Sequence, residues 1–259
     1  MGYIAFGYLV YFFLRVDHHS LHSPKSFEMY RFLRNHQSIN REGNPTIEAR
    51  RKLLRKDSSI VQVVDLGAGS KRFAGRARSV KQWARVSSSS LSHNLLFQGL
   101  SLLTPRRTMV ELGTCLGINT AYLAEVCLGK IHSFEGADAL LGIAEQTLGR
   151  YSQVSLIPGN IDHSLPRFLS SSGKIDFCLL DANHTYEATI RYARSIWPHL
   201  HEDSVLVVSD IHWSPGMAKA WREILEFPGV SLSMDFFECG AVFLKPGLMM
   251  EKLVLYYPR

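Results

Sequence analysis

The chain has 259 residues, of which 46% are hydrophobic and 20% are charged. This composition excludes a disordered protein and is sufficient for one large α/β domain with an appendage. The net charge of +6 is unevenly distributed, because residues 1–107 hold 18 Lys and Arg against 6 Asp and Glu, whereas residues 108–259 hold 11 against 17. A basic N-terminal region therefore precedes an acidic one.

The four cysteines are scattered through the chain without C-x-x-C spacing: Cys115, Cys127, Cys178 and Cys239. This spacing predicts buried free thiols in a reducing compartment, and therefore a cytoplasmic protein without a zinc site.

The first sixteen residues are apolar and aromatic. As a helix, residues 3–14 span only about 18 Å, well short of the ~30 Å hydrocarbon core of a bilayer. Neither a basic leader nor a small-residue cleavage site marks a signal peptide. We expect no transmembrane segment and a helix that packs on the domain; a partner chain, as in a homodimer, and a membrane surface are the alternatives.

Three histidines, His18, His19 and His22, precede Ser23, which is predicted to cap a helix that begins at Pro24. They form either a simple loop or a lip of the active site, and metal binding is disfavoured because no carboxylate or cysteine completes the set. A basic helix is then predicted over residues 41–57, with its cations on a solvated face: Arg41, Arg50, Arg51, Lys52, Arg55 and Lys56.

Two glycine-rich turns follow apolar strands. The first, Asp65-Leu-Gly-Ala-Gly-Ser70, is followed by a basic, serine-rich stretch and is interpreted as a turn of the N-terminal region. The second, Glu111-Leu-Gly-Thr-Cys-Leu-Gly117, leads into an apolar helix. Glycine lets the backbone approach a ligand closely, and the start of a helix attracts negative charge. A purely structural turn explains this second pattern equally well when it is considered alone.

The next strand ends in Glu135, 18 residues after Gly117. This is close to the ~20 residues at which an acidic side chain binds ribose hydroxyls in a Rossmann-type unit. The spacing therefore favours a nucleotide-like ligand over a purely structural turn.

Helices and strands alternate to the end of the chain. The pattern predicts an α/β fold: a Rossmann-like doubly wound sheet of about seven strands, mainly parallel, with a C-terminal antiparallel hairpin. Residues 1–94 are predicted to form a mostly helical extension and residues 95–259 the main domain. Polar residues follow the strands where ligands of such sheets bind, namely Glu111, Glu135, Asn160, Asp181 and Asp210.

Over roughly residues 95–245 these motifs resemble the class I S-adenosylmethionine-dependent methyltransferases. The sub-pattern Asp181-Ala-Asn-His-Thr-Tyr-Glu187, followed by Asp210-Ile-His212, is similar to a branch of O-methyltransferases that includes catechol O-methyltransferase-like enzymes. The segment His22-Ser23-Pro24, together with Asp65 to Ser70, is similar to an N-terminal extension in a bacterial group of these proteins.

The resemblance implies S-adenosyl-L-methionine as the cofactor. The loop Gly113–Gly117 would hold its amino-acid end, Glu135 its ribose, and Asn160 and Ile161 its adenine. The full set of implied cofactor-binding residues is Glu111, Gly113, Thr114, Gly117, Glu135, Gly136, Asn160, Ile161 and Asp181.

In the catechol-type enzymes, three oxygen ligands hold magnesium. Asp181 and Asp210 match the first two, but Ile211 stands where the third would be an asparagine. Mg²⁺ therefore remains a hypothesis, and a histidine ligand, His184 or His212, would favour Zn²⁺ or Mn²⁺.

The candidate catalytic residues are Asp181, His184, Asp210 and His212. Either histidine suits general-base chemistry near neutral pH, although each is equally well explained as a loop residue. Aromatic residues nearby are candidates for an acceptor pocket or for core packing: Tyr186, Trp213 and Trp221.

The favoured function is methyl transfer to a hydroxyl of a small molecule. The alternatives are an RNA methyltransferase that uses the basic N-terminal region and a non-catalytic protein that binds S-adenosylmethionine. The chain lacks the Asn/Asp-Pro-Pro-aromatic and Pro-Cys motifs of base methylases, which disfavours RNA. An NAD-dependent dehydrogenase is disfavoured because its loop has the pattern Gly-x-Gly-x-x-Gly.

Overall fold

The computed structural model describes residues 2–63, 77–86, 89–246 and 251–258. These residues form a series of N-terminal helices followed by an eight-stranded sheet with helices on both faces. The turn Asp65 to Ser70 lies outside the described residues.

The described N-terminal part is mostly helical, as predicted. Its helices are α1 Gly2–Leu14, α2 Pro24–Ile39, α3 Pro45–Leu54, α4 Val80–Val86 and α5 Leu91–Ser101, with a 3-10 turn at His18–Ser20. Ser23 caps α2 and a proline occupies its first position, which confirms the predicted start of this helix. Two short antiparallel strands, β1 Ile60–Val61 and β2 Arg78–Ser79, pair before α4.

The central sheet contains the strands β3 Thr108–Leu112, β4 Lys130–Glu135, β5 Val154–Pro158, β6 Phe177–Leu180, β7 Val205–Ser209, β8 Leu232–Asp235, β9 Cys239–Phe243 and β10 Glu251–Val254. Their spatial order is β5-β4-β3-β6-β7-β9-β8-β10, and every pairing is parallel except the two that β9 makes. The predicted parallel sheet with its antiparallel hairpin is therefore confirmed, and β10 adds an eighth strand.

Five helices connect the strands: α6 Ile118–Ala124, α7 Asp138–Leu148, α8 Ile161–Leu169, α9 Tyr186–Ile196 and α10 Pro215–Ile224. With helices on both faces, the central strands are buried on both sides, and all five residues of β7 are buried. This explains why their sequences are continuous apolar runs rather than alternating ones.

Successive side chains of each strand point into two different cores. In β3, Met109 packs in one core with Leu33 of α2 and Leu95 of α5. Its neighbour Val110 packs in the other core with Leu165 of α8 and with α10. The N-terminal helices thus cover one face of the sheet and share its core.

The two ends of the chain meet at the β10 edge of the sheet. Val16 forms a parallel bridge with Leu255, and the Tyr11 hydroxyl donates a hydrogen bond of 2.6 Å to the Leu255 carbonyl. Ser26 of α2 donates to the carboxylate of Glu251 at 2.6 Å. Strand β10 is therefore held from both sides, by β8 and by the N-terminal segment.

Helix α3 lies within the predicted basic helix, but the predicted exposure of its cations is wrong for Arg51. This side chain is 2% exposed and pairs with Glu48 at 3.0 Å. It also donates hydrogen bonds to the Ser89 carbonyl at 2.6 Å and to the Asn94 side chain. A buried charge requires such partners, and they lie up to 43 residues away in sequence.

The four cysteines are free thiols. Cys178 and Cys239 are buried as predicted, whereas Cys115 and Cys127 are half-buried. None of the helices in the described residues is long and apolar enough to cross a bilayer.

Candidate active site

The glycine-rich loop connects β3 to α6 at the carboxyl edge of the sheet. Gly113 and Gly117 both have positive φ, 107° and 78°. A Cβ at Gly113 would collide with the backbone carbonyl of Asp181, so this position requires glycine for space as well as for conformation. Gly117 is the N-cap residue of α6 and offers no side-chain cap, so the first N–H groups of α6 are directed towards the loop.

Glu111 supports this loop from the interior. Its carboxylate is buried and accepts hydrogen bonds from the side chains of Asn119 at 2.7 Å, Thr120 at 2.5 Å and Ser133 at 2.6 Å. Burial raises the pKa of Glu111 to about 7, against the opposing effect of these three donors. A direct contact of Glu111 with a cofactor remains a prediction, since its oxygens face protein groups.

The loop is joined to β4 by further hydrogen bonds. The backbone N–H groups of Gly113 and Thr114 both donate to the Phe134 carbonyl at 3.0 Å. The Thr114 hydroxyl lies 2.6 Å from that of Ser133, which in turn donates to Glu111. Thr114 is therefore a rigid part of the loop.

Glu135 lies at the end of β4, beside the loop. Its two carboxylate oxygens accept hydrogen bonds from the backbone N–H of Cys115 at 2.7 Å and of Ala137 at 2.8 Å. Gly136, between Glu135 and Ala137, is half-buried in the same turn. Thus Glu135 joins the glycine loop to the turn after β4, where the sequence predicted an acidic group for ribose.

Asn160 and Ile161 follow β5 along the same edge. The Asn160 side chain accepts from the Asp162 N–H at 2.9 Å and so caps α8. Ile161 packs in the core with Leu165. The preceding Gly159 has φ of 96° with open space where a Cβ would lie. The contact of Asn160 and Ile161 with adenine stays a prediction.

The loops after β6 and β7 bring Asp181, His184 and Asp210 together. One potential ligand atom from each lies within 4.8 Å of those of the other two. His184 Nδ1 is 3.4 Å from Asp210 Oδ2. Burial and the nearby carboxylates of Asp181 and Glu238 raise the pKa of Asp210 to about 6, although His184 opposes the shift.

The backbone in these two loops is unusual. Asn183, His184 and Asp210 have φ of 64°, 31° and 56°, in the left-handed region that side chains with a Cβ rarely adopt. Such conformations persist only where the surrounding structure imposes them, and they concentrate at functional sites.

His212, the other predicted catalytic histidine, lies apart from this cluster. Its Nε2 is 2.8 Å from Asp235 Oδ2, and its ring stacks on Phe237 with centroids 5.2 Å apart. Ile211 is fully buried in the core, in agreement with its inability to act as a ligand.

Of the aromatic candidates, Trp221 is buried against Gly240, whereas Trp213 is 60% exposed beside the site. Tyr186 donates to Glu223 at 2.6 Å.

The structure adds a histidine–carboxylate pair that the sequence did not reveal. His93 of α5 pairs with Glu238, whose backbone carbonyl accepts the Asp210 N–H at 2.5 Å. These residues are 145 positions apart and belong to no local motif, so only the fold brings them together.

Comparisons with known proteins agree with this architecture. Residues 110–211 match the model of a family described as a methyltransferase domain. None of the curated proteins compared with the chain matched it.

Several solved structures share the fold at low sequence identity. The O-methyltransferase from Bacillus cereus in complex with SAH is 15% identical, with a TM-score of 0.56; the match covers 82% of this chain and 99% of the other. The SAH-bound methyltransferase PaMTH1 of Podospora anserina is 12% identical, with a TM-score of 0.57 and coverage of 78% and 88%. Cofactor-bound Rv0187 from MTB is 17% identical, with a TM-score of 0.56 and coverage of 78% and 92%.

A parallel sheet with one antiparallel strand, a glycine loop after its first strand and acidic residues at the following strand ends together define a methyltransferase fold. The chain has this fold, and its residues 110–211 are the part that the methyltransferase family model describes.

Proposed function

We propose that this protein transfers the methyl group of S-adenosylmethionine to a hydroxyl group of a small-molecule acceptor. The observation that carries the proposal is the cluster of Asp181, His184 and Asp210 beside the glycine loop. Because the Asp181 carbonyl packs directly against Gly113, the acceptor side and the cofactor side are adjacent.

The cofactor is proposed to occupy the loop Gly113–Gly117 and the strand ends beside it. Its carboxylate would lie at the start of α6, where the helix has no side-chain cap. Its ribose hydroxyls would face Glu135, which two backbone amides hold in place. Asn160 and Ile161 would flank the adenine.

The bound cofactor supplies an electrophilic methyl group on a positively charged sulfur. In the transfer, a bond forms between the acceptor oxygen and the methyl carbon as the sulfur–methyl bond breaks, and S-adenosylhomocysteine leaves. The hydroxyl proton passes to His184 Nε2 in the proposal, and Asp210, 3.4 Å from Nδ1, stabilises the imidazolium that results. The protein's main contribution is alignment of the acceptor oxygen and exclusion of water.

The same three residues fit a divalent cation, since they offer two carboxylates and an imidazole within 4.8 Å. An imidazole in the set favours Mn²⁺ or Zn²⁺ over Mg²⁺. Such an ion would supply a Lewis acid that lowers the pKa of the acceptor hydroxyl, and His184 would then be a ligand rather than the base.

The basic N-terminal region supports an RNA substrate less than its composition suggests. Arg51 is buried, and Arg50 donates to the Thr147 hydroxyl of α7 at 3.1 Å. These two cations are therefore engaged within the protein.

The first test is calorimetric titration with S-adenosylhomocysteine, with NAD as the control ligand. Labelled S-adenosylmethionine is then incubated with phenolic and catecholic acceptors, with and without a chelator. A chelator-resistant reaction supports His184 as the base, whereas loss of activity that Mn²⁺ or Zn²⁺ restores supports the metal-assisted form. Binding of S-adenosylhomocysteine without methyl transfer to any hydroxyl would contradict the proposal and favour a non-catalytic protein.

The matched variants are His184→Asn and His212→Asn. General-base catalysis contributes roughly 10²–10⁴-fold, so His184→Asn should lower turnover by about a hundredfold or more without weakening cofactor binding. His212→Asn should have a much smaller effect, because His212 pairs with Asp235. The reverse order of the two variants would assign the catalytic role to His212.

A further inference from the structure

Helix α1 carries a dense group of exposed apolar side chains. It has no charged residue over Gly2–Leu14, and eight of its large side chains are exposed: Tyr3, Phe6, Tyr8, Leu9, Val10, Phe12, Phe13 and Leu14. The most exposed are Phe13 at 76% and Phe6 at 67%. A helix that is apolar on all sides is normally buried in a large core or in lipid.

The helix is attached to the protein along a narrow strip. Tyr11 is its only buried residue, and its hydroxyl binds the Leu255 carbonyl. The rings of Tyr8 and Tyr11 pack on Phe237, with centroids 5.0 and 5.2 Å away. The expectation that α1 packs on the domain therefore holds for this strip alone.

The exposed side chains cover too much area and too wide an arc for an ordinary surface. At about 100° per residue they span about 240° of the helix circumference. With ~200 Å² for a whole aromatic side chain, they expose on the order of 800 Å² of apolar surface. The largest apolar patch on a typical monomer is about 300–600 Å².

Two classes of occupant can bury such a surface, and the geometry favours lipid over a second copy of the chain. A partner protein packs against one side of a helix and needs a polar rim around the contact. Helix α1 provides no polar rim over its 13 residues. A lipid leaflet, in contrast, can contact every side of a helix that does not face the protein, and so can cover a wide arc of its circumference.

Basic side chains lie at the end of α1, where a lipid headgroup would be. The Arg15 guanidinium lies 4.3 Å from the centroid of the Phe12 ring and 4.5 Å from the centroid of the Tyr256 ring. The Arg34 guanidinium lies 5.6 Å from the centroid of the same Tyr256 ring. Asp17 is the acidic residue nearest to Arg15 in sequence. Apolar side chains next to cations are typical of segments that bind anionic membrane surfaces.

We propose that α1 lies in the surface of an anionic lipid leaflet and anchors the protein there. Over Gly2–Leu14 the helix is about 20 Å long. Its attachment through Phe237, which stacks on His212, places this membrane contact next to the loop that follows β7.

The test is cosedimentation of the full chain with vesicles of phosphatidylcholine and phosphatidylserine, and with vesicles of phosphatidylcholine alone. The wild-type protein should bind the mixed vesicles more tightly. Phe6→Asp combined with Phe13→Asp should weaken binding by roughly a hundredfold, because two large apolar groups no longer enter the lipid.

The control is Leu53→Asp combined with Leu128→Asp, which changes two side chains that are 62% and 69% exposed outside α1. This variant should bind the vesicles like the wild type. Titration with S-adenosylhomocysteine should give the same affinity for all three proteins, which shows that the fold is retained and separates this proposal from the proposed catalytic function.

Two results would overturn the proposal. One is wild-type protein that remains in solution with both kinds of vesicle, or that binds them as well after Phe6 and Phe13 are replaced. The other is a dimer in lipid-free sedimentation velocity that the Phe6→Asp, Phe13→Asp variant converts to a monomer, since α1 would then bind a second copy.

Discussion

The two halves of the sheet's carboxyl edge differ in how their polar groups are satisfied. After β3 and β4, the carboxylates of Glu111 and Glu135 are held by three side-chain donors and two backbone amides. After β6 and β7, carboxylates lie close to one another, and the contact of His184 with Asp210 is a long 3.4 Å. Three residues with a Cβ adopt positive φ there, namely Asn183, His184 and Asp210, against one, Cys115, in the loop after β3.

Under the proposed function, this difference separates cofactor binding from methyl transfer. A fully hydrogen-bonded loop is preorganised and holds a ligand without rearrangement. Neighbouring carboxylates and a strained backbone, in contrast, shift pKa values and place side chains in unusual directions, as proton transfer requires. The first half is therefore expected to respond to substitution in stability and affinity, and the second half in turnover.

The largest stability effect is expected for Arg51→Met, because Arg51 is the charged end of the network beneath the glycine loop. Its partner Asn94 donates to Asn119 at 2.8 Å, and Asn119 donates to Glu111. Loss of one partner of a buried ion pair costs roughly 3–5 kcal/mol. Denaturant unfolding should show a loss of this size.

Arg55→Met is the matched control, since Arg55 is the C-cap residue directly after the same helix and is exposed. Its effect should stay within about 0.5 kcal/mol. Equal, small losses for both variants would mean that the network does not support the loop.

The next effect concerns pH and Glu111. The pKa of this buried carboxyl is raised from 4.5 to about 7, so the folded protein binds the proton more tightly than the unfolded chain does. Its contribution to stability is therefore complete below pH 4.5 and is lost as the pH rises to about 7. The loss should be on the order of 3 kcal/mol.

Glu111→Gln isolates this contribution, because it keeps the shape of the side chain but cannot ionise. The unfolding free energies of the wild type and the variant are measured across this pH range. They should be similar in acid and differ increasingly towards neutral pH, because the unfolding free energy of the wild type falls. The exposed Glu145→Gln should follow the wild type throughout. Parallel curves for wild type and Glu111→Gln would show that the carboxyl titrates normally.

A smaller effect is expected for Glu135→Ala, measured as affinity for S-adenosylhomocysteine by calorimetry. Removal of the carboxylate leaves the Cys115 and Ala137 amides unpaired and removes the proposed ribose contact. The affinity should fall by about 1–3 kcal/mol. Glu145→Ala is the control, and an unchanged affinity for Glu135→Ala would show that the ribose site is misassigned.

The half of the edge after β3 and β4, where we propose that the cofactor binds, was largely predictable from sequence because its features are local. The glycine loop, Glu111 and Glu135 follow strands that are visible as apolar runs, and parallel strands place their carboxyl ends on one edge. The same strand-end argument also predicted that Asp181 and Asp210 lie at this edge.

The remaining features depend on contacts that no local pattern encodes. His184 and His212 each lie within three residues of a strand-end aspartate, yet only His184 reaches the cluster. The Trp213 N–H binds the Asp210 carbonyl and forms a turn, and His212 pairs with Asp235, 23 residues later. The burial of Arg51 likewise depends on long-range partners.

The smallest effect tests the backbone strain in the loop after β6 directly. Asn183 has φ of 64°, and its side chain makes one long hydrogen bond, 3.4 Å to the Tyr192 hydroxyl. Asn183→Ala and Asn183→Gly both remove this bond, so their difference reports the backbone alone. The left-handed conformation costs a residue with a Cβ roughly 1–2 kcal/mol relative to glycine. Denaturant unfolding should therefore show Asn183→Gly more stable than Asn183→Ala by about 1 kcal/mol. Equal stabilities would mean that the loop relaxes freely, and the contrast between the hydrogen-bonded loops after β3 and β4 and the loops after β6 and β7 would then rest on the carboxylates alone.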